Sequence, residues 1–186
     1  SETIAGFTRG TLLEYIENHY GPENILVACS GNFIEEKVVS QMNARLGRLH
    51  RPCSRKNQFQ TSFSSGLHVV SKELSETHIC IGTKGLPYGS DERYTMHLLN
   101  SILGSGYSSR LFQKVREKRG LAYSIYSYHG SYSDTGLWTV YAGTDSKRAG
   151  EVIDITLNEM RNIPETVTAD ELQRAKAQLK GNLILA

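Results

Sequence analysis

No histidine in this chain is followed four positions later by another, so the H-x-x-E-H helix that presents two histidines and a glutamate to zinc is absent. The histidines are His19, His50, His68, His78, His97 and His129. His19-Tyr-Gly-Pro-Glu23 has the wrong spacing and a helix-breaking proline, while His97 has Asn100 and Ser101 where further ligands would be needed. Cysteine is scarce: Cys29, Cys53 and Cys80 are widely spaced and form no C-x-x-C pair, which excludes a zinc knuckle and a disulfide framework. A reducing compartment fits that usage, and Cys29 and Cys80, in apolar runs, are expected as small core residues. No apolar run approaches the ~20 residues needed to span a bilayer, and residues 1–10 show no secretory signal. Also missing are a G-x-S-x-G elbow, a cysteine with a histidine partner, and both phosphate-loop patterns, G-x-G-x-x-G and G-x-x-x-x-G-K-[ST].

What is present is a chain of 186 residues with 39% hydrophobic and 22% charged residues and a net charge of +2. Those values suit a soluble globular protein and give no reason to expect a polyanionic partner. Thr8 can cap a helix to about His19 with Leu12, Ile16 and Tyr20 on one stripe, stopped by Gly21-Pro22. Asn24 to Cys29 reads as a buried strand. Asn32 and Glu35 suggest a capping box for a helix bearing Val38, Met42 and Leu46 and closed by Gly47. This α-β-α segment (1–47) looks like the closing piece of a preceding domain.

Residues 48–65 are polar and basic, with Arg48, Arg51, Arg55 and Lys56, and no acidic residue falls between Glu36 and Glu73. With no aromatic platform interleaved among its basic residues, the stretch reads as a solvated linker rather than a nucleic-acid surface. The remainder (66–186) follows a β-β-α-α-β-β-α-α order. Strands are expected at Leu67–Lys72 and Thr77–Thr83. A helix follows at Asp91–Leu103, capped by Ser90, with Tyr94, Leu98 and Ile102 inward. The next helix is expected at Ser108–Lys118 with Leu111 and Val115 inward. Strands at Ala122–Tyr132 and Gly136–Ala142 turn through Ser133-Asp134. A helix from Lys147 should end at Pro164, and a last one opens with the box Thr168-x-x-Glu171, with Leu172, Ala175, Leu179 and Leu183 on one face. Paired strands alternating with paired helices define an α+β fold: two layers, a largely antiparallel sheet, helices on one face. The chain stops at Ala186 without a helix-ending signal, which reads as truncation.

The chemistry concentrates in Gly104–Asp145. Arg116 and Tyr123 stand seven residues apart across a helix-to-strand junction, after the loop Gly104-Ser105-Gly106 and before a tyrosine-rich strand pair. A tyrosine hydroxyl or an arginine can donate to a developing oxyanion, and arginine can grip a carbonyl or carboxylate with its fork. By pattern alone Arg116, Glu117, Lys118 and Arg119 equally suit a charged helix end, and Tyr123, Tyr126, Tyr128 and Tyr132 suit ordinary strand packing.

The segments RLFQKVREKRGLAYSIYS and YSDTGLWTVYAGTD resemble the pitrilysin, insulinase and mitochondrial-processing-peptidase family of zinc metallopeptidases. TRGTLLEYIENHYGPENILVACSGNF resembles the end of that family's zinc domain, and TADELQRAKAQLKGNLILA the late helix of its second domain. The resemblance implies the second, zinc-free domain of a metalloendopeptidase, inactive alone. It implies that Arg116 and Tyr123 are donated as catalytic residues to a zinc site on another domain or subunit. Gly104, Ser105 and Gly106, with Arg116, are implied as substrate-binding residues. No cofactor is implied for this chain, zinc is implied for its parent, and the implied partners are a peptide substrate and a zinc-bearing domain or subunit in a homo- or heterodimer. No nucleic acid or membrane partner is expected. The expected compartment is the cytoplasm, or the mitochondrial matrix in a eukaryote. A non-catalytic assembly subunit of the same fold, or a generic α+β interaction domain, remain the alternatives.

Overall fold

The computed structural model describes residues 2–48 and 61–185. The chain divides into two compact units, Ser1–Phe59 and Gln60–Ala186. Cys53 and residues 49–60 of the expected linker lie outside the described residues; 61–65 have no regular structure.

The first unit contains α1 (Glu2–Ala5), α2 (Arg9–His19) and α3 (Glu35–Leu46). Thr8 caps α2 as its spacing predicts: Thr11 N donates to Thr8 Oγ1 at 3.2 Å and Thr8 N donates to Thr11 Oγ1 at 3.3 Å. The other two expectations here are corrected. Asn24–Cys29 forms no strand, because no ladder partner stands beside it among the described residues, and Leu26 is exposed. The α3 cap is Ile34 without a side-chain bond, rather than Asn32; Val38, Met42 and Leu46 do form its half-buried stripe.

The second unit holds a three-stranded antiparallel sheet in the order β1-β3-β2, with β1 at Thr77–Gly85, β2 at Ala122–Ser131 and β3 at Gly136–Thr144. Helices α4 (Arg93–Leu103) and α5 (Ala149–Thr166) cover one face, and α6 (Ala169–Leu185) packs on α4. Strand alternation explains the layering: Ile125, Trp138, Val140 and Ala142 meet Met96, Leu103, Val152 and Ile163 in the core. The opposite face carries His78, Cys80, Tyr126 and Tyr128, all exposed.

The expected fold class therefore stands, with local corrections. Leu67–Lys72 is not a strand, for the same reason as Asn24–Cys29: extended apolar residues need a ladder, and Leu67, Val69 and Val70 remain exposed. Cys80 is exposed because its parity places it opposite Ile79 and Ile81, and Cys29 is exposed with its unpaired segment. Ser90 bonds Glu92 N through Oγ at 3.2 Å, one turn before α4, whose cap is Glu92, and Tyr94 is exposed. Helix α5 runs past Pro164 to Thr166, closed by Val167 N on Ile163 O at 3.2 Å. The Thr168–Glu171 box forms as spaced, with Thr168 N on Glu171 Oε2 at 2.9 Å and Glu171 N on Thr168 Oγ1 at 3.2 Å.

Candidate functional site

The loop leaving α4 is stitched to the middle of β2. Gly104 O accepts from Ser127 N at 3.0 Å, and a Cβ on Gly104 would lie 2.6 Å from that nitrogen, so only glycine fits the approach. Beside it, Asn100 Oδ1 accepts from Ser127 Oγ at 2.8 Å and from Trp138 Nε1 at 3.0 Å, which joins α4, β2 and β3 through one amide. Of the three loop residues with an expected substrate role, Gly104 is buried against the sheet, Ser105 is half-buried and Gly106 is exposed.

The segment after the loop is wider than the α-helix its sequence predicts. Phe112–Glu117 is a π-helix, with Lys118 N on Gln113 O at 3.0 Å. Such turns insert one extra residue and recur at functional sites. Leu111 and Val115 are fully buried as expected. Arg116 is exposed, with its guanidinium carbon 5.0 Å from the Phe112 ring centroid, and Phe112 in turn meets Tyr107 edge-on at 5.1 Å. The Arg116 guanidinium makes no hydrogen bond or ion pair with a described residue.

Seven residues on, Tyr123 occupies a β-bulge. Ala122 pairs with Thr144 and Ser124 with Gly143, leaving Tyr123 as an extra residue with no partner on β3. A bulge bends the strand and re-aims a side chain; Tyr123 is 67% exposed, and its hydroxyl bonds no described residue. Beyond it the open face of the sheet is aromatic, with Tyr126 5.0 Å from Tyr141 and 6.2 Å from Tyr128 by ring centroid. His78 Nδ1 lies 2.8 Å from the Tyr141 hydroxyl on the same face. Thr139 Oγ1, between these tyrosines, is buried without a partner.

Titration behaviour is perturbed at Glu171 and at His129. The hydrogen-bonded Arg110 guanidinium holds the Glu171 carboxyl down at about 2. Burial, reinforced by nearby His97, lowers the His129 imidazole below its ordinary range. Among the described residues no group of three or more His, Cys, Asp or Glu side chains comes together to hold a metal ion, so the donor set does not fit zinc. What the chain offers is a fork of N–H donors at Arg116 and one O–H donor at Tyr123. Residue patterning alone does not reveal the Tyr107–Phe112 support beneath Arg116. Its only trace is an aromatic residue four positions before the arginine.

A family profile described as "Peptidase M16 inactive domain" matches residues 6–179. Among curated relatives, a Bacillus subtilis protein called "Uncharacterized zinc protease YmxG" is 35% identical over 188 residues, covering 100% of this chain and 45% of the relative. A Rickettsia felis protein named as a zinc protease is 36% identical over 187 residues, with 100% and 45% coverage. A solved Pseudomonas fluorescens structure titled as a peptidase M16 inactive domain superposes with a TM-score of 0.80 at 21% identity, covering 97% of this chain and 45% of that one. A protease from Helicobacter pylori gives a TM-score of 0.76 at 19% identity, with 98% and 46% coverage. The chain belongs to the peptidase M16 inactive-domain family. It spans less than half the length of the curated relatives it matches. No described helix is long and apolar enough to cross a membrane.

Proposed function

We propose that this chain is the substrate-positioning domain of a zinc metalloendopeptidase, serving a zinc site carried by another domain or subunit. The relatives named as zinc proteases support the reaction class. The observation that carries the reading is the pair of unengaged donors: Tyr123, turned outward by the bulge, and Arg116, laid on Phe112. Zinc held by another domain or subunit would supply Lewis-acid chemistry. The Tyr123 hydroxyl donates to the oxygen that gains charge in the transition state, and the Arg116 fork grips a substrate carbonyl or carboxylate. Gly106 and the exposed Tyr107 border the approach.

The test is kinetic, in the enzyme assembled with its zinc-bearing domain. Tyr123→Phe lowers kcat by about 10²–10³-fold with little change in KM, the signature of a donor used in the transition state. Arg116→Lys keeps the charge but loses the fork, and raises KM. Unchanged kinetics in both variants overturn the reading.

A further inference from the structure

Arg110 stands just ahead of the π-helix that carries Arg116, and its guanidinium is engaged through all three nitrogens. Nε and Nη2 donate to the two carboxylate oxygens of Glu171 at 2.7 Å each. Nη1 donates to Thr166 Oγ1 at 2.7 Å, and Nη2 also reaches Thr166 O at 2.7 Å. Glu159 Oε2 lies 3.7 Å from Nη1, and the Arg110 side chain is only 10% exposed. Four residues on, Lys114 Nζ bonds Glu159 Oε1 at 2.5 Å. Arg110 is therefore tied to α5 and to the head of α6, and Lys114 to α5. Glu171 is held as well, because its Oε2 accepts from Thr168 N and Oγ1 in the α6 cap.

The consequence for Arg116 follows from backbone geometry. A π-helix holds one more residue per turn than an α-helix. Closing the same stretch as an α-helix shifts the register by one residue and rotates everything beyond it by about 100°. Burial of Leu111 and Val115 favours the observed register but sets no precise bond geometry. A bidentate guanidinium–carboxylate fork is directional and selects strongly. We propose that Arg110 is a positioning residue for Arg116: its fork to Glu171 and Thr166 fixes the π-helix register, so that the Arg116 guanidinium rests on Phe112 and faces substrate.

This inference rests on the role proposed for Arg116, and two readouts keep the claims apart. The first needs only the chain itself. Amide hydrogen exchange is measured over 113–118 in Arg110→Lys and, should that variant fold poorly, in the milder Thr166→Val. Protection there falls by about tenfold while Leu98–Leu103 in α4 is unchanged. Unchanged protection, or an equal loss in α4, overturns the inference, since a merely structural ion pair affects both alike. The second readout is KM of the assembled enzyme. Arg110→Lys raises KM by roughly tenfold, in the same direction as Arg116→Lys, with kcat within about threefold, as expected when the gripping fork is slightly misplaced. If Tyr123→Phe and Arg116→Lys are impaired but Arg110→Lys is not, the positioning role falls and the functional reading stands. If Tyr123→Phe and Arg116→Lys are both normal, the functional reading falls and the exchange data alone decide the register role.

Discussion

Ala122 and Ile125 stand three positions apart on β2, yet both turn to the core, 6% and 4% exposed. In an unbroken strand, residues three apart point to opposite faces. The extra residue between their ladder positions, Tyr123, removes the conflict by leaving the core face. The bulge thus serves packing and presentation together, and the two can be separated by experiment. Tyr123→Ala should change unfolding free energy by no more than about 0.5 kcal/mol, as for an exposed side chain. Ile125→Ala should cost about 2–5 kcal/mol. Chemical denaturation of both variants checks the contrast, and a large loss in Tyr123→Ala would contradict an outward, unsupported ring.

Gly104 and Gly150 provide a second contrast. A methyl group on Gly104 meets Ser127 N at 2.6 Å, so Gly104→Ala must push the loop off β2, at about 1–3 kcal/mol. Gly150, in the first turn of α5, has nothing within 4 Å of a built Cβ. Gly150→Ala should therefore stabilise by about 0.5–1 kcal/mol. Thermal melts of the two variants should move in opposite directions.

Asn100 is expected to be the costly polar residue of α4. Asn100→Ala leaves the Trp138 N–H without its acceptor and removes one partner of Ser127 Oγ. An unsatisfied buried donor costs about 1–3 kcal/mol. The chain has one tryptophan, so Trp138 fluorescence reports directly on this site during urea unfolding. The unfolding midpoint should fall, and the emission of the folded variant should differ from wild type.

His129 and Glu171 both contribute to the acid limb of stability. His129 titrates below its ordinary 6.5 because burial disfavours its charged form, and its Nε2 accepts from Leu86 N at 3.0 Å, which protonation abolishes. A depressed value means the contribution is complete above 6.5 and is lost as pH falls through the folded-state value. Glu171, held at about 2 against an ordinary 4.5 by Arg110, adds a second loss between those values. Urea midpoints measured from neutral to strongly acidic pH should decline in two stages, and Glu171→Gln should remove the lower one. An NMR titration placing His129 at or above 6.5 would refute the upper stage.

Features encoded within a few residues were legible in the sequence. Thr8 and the Thr168–Glu171 box formed where their spacing placed them, and of the α6 stripe Ala175 is buried, Leu172 and Leu179 half-buried and Leu183 exposed. Strands were legible only where a partner completed them: Gly136–Thr144 pairs on both sides, whereas the equally apolar stretches at 24–29 and 67–72 stand without a ladder. The site was half legible. Arg116 and Tyr123 could be named as candidate residues, but the bulge is defined by register against Gly143 and Thr144, which no local pattern encodes. The Arg110–Glu171 fork joins residues 61 apart and was equally invisible.

Between Arg116 and Tyr123 the backbone is closed on itself. Gly120, at φ +58°, donates to Arg116 O at 3.0 Å, and Leu121 donates to Val115 O at 2.9 Å. From outside, Arg148 Nη1 reaches Gly120 O at 2.6 Å and Thr144 Oγ1 reaches Leu121 O at 2.5 Å. The interval is a ruler rather than a tether. Removing or adding one residue at 117–121 breaks several of these bonds and changes the spacing of the two donors. The exposed hairpin tip at Ser133–Asp134 is bridged by Tyr132 N on Thr135 O at 2.8 Å and held by Thr61 N on Asp134 Oδ2 at 3.1 Å, but it lies outside the interval, so it can change length without moving either residue. In homologous sequences, insertions and deletions should therefore gather at that tip and avoid the seven-residue interval.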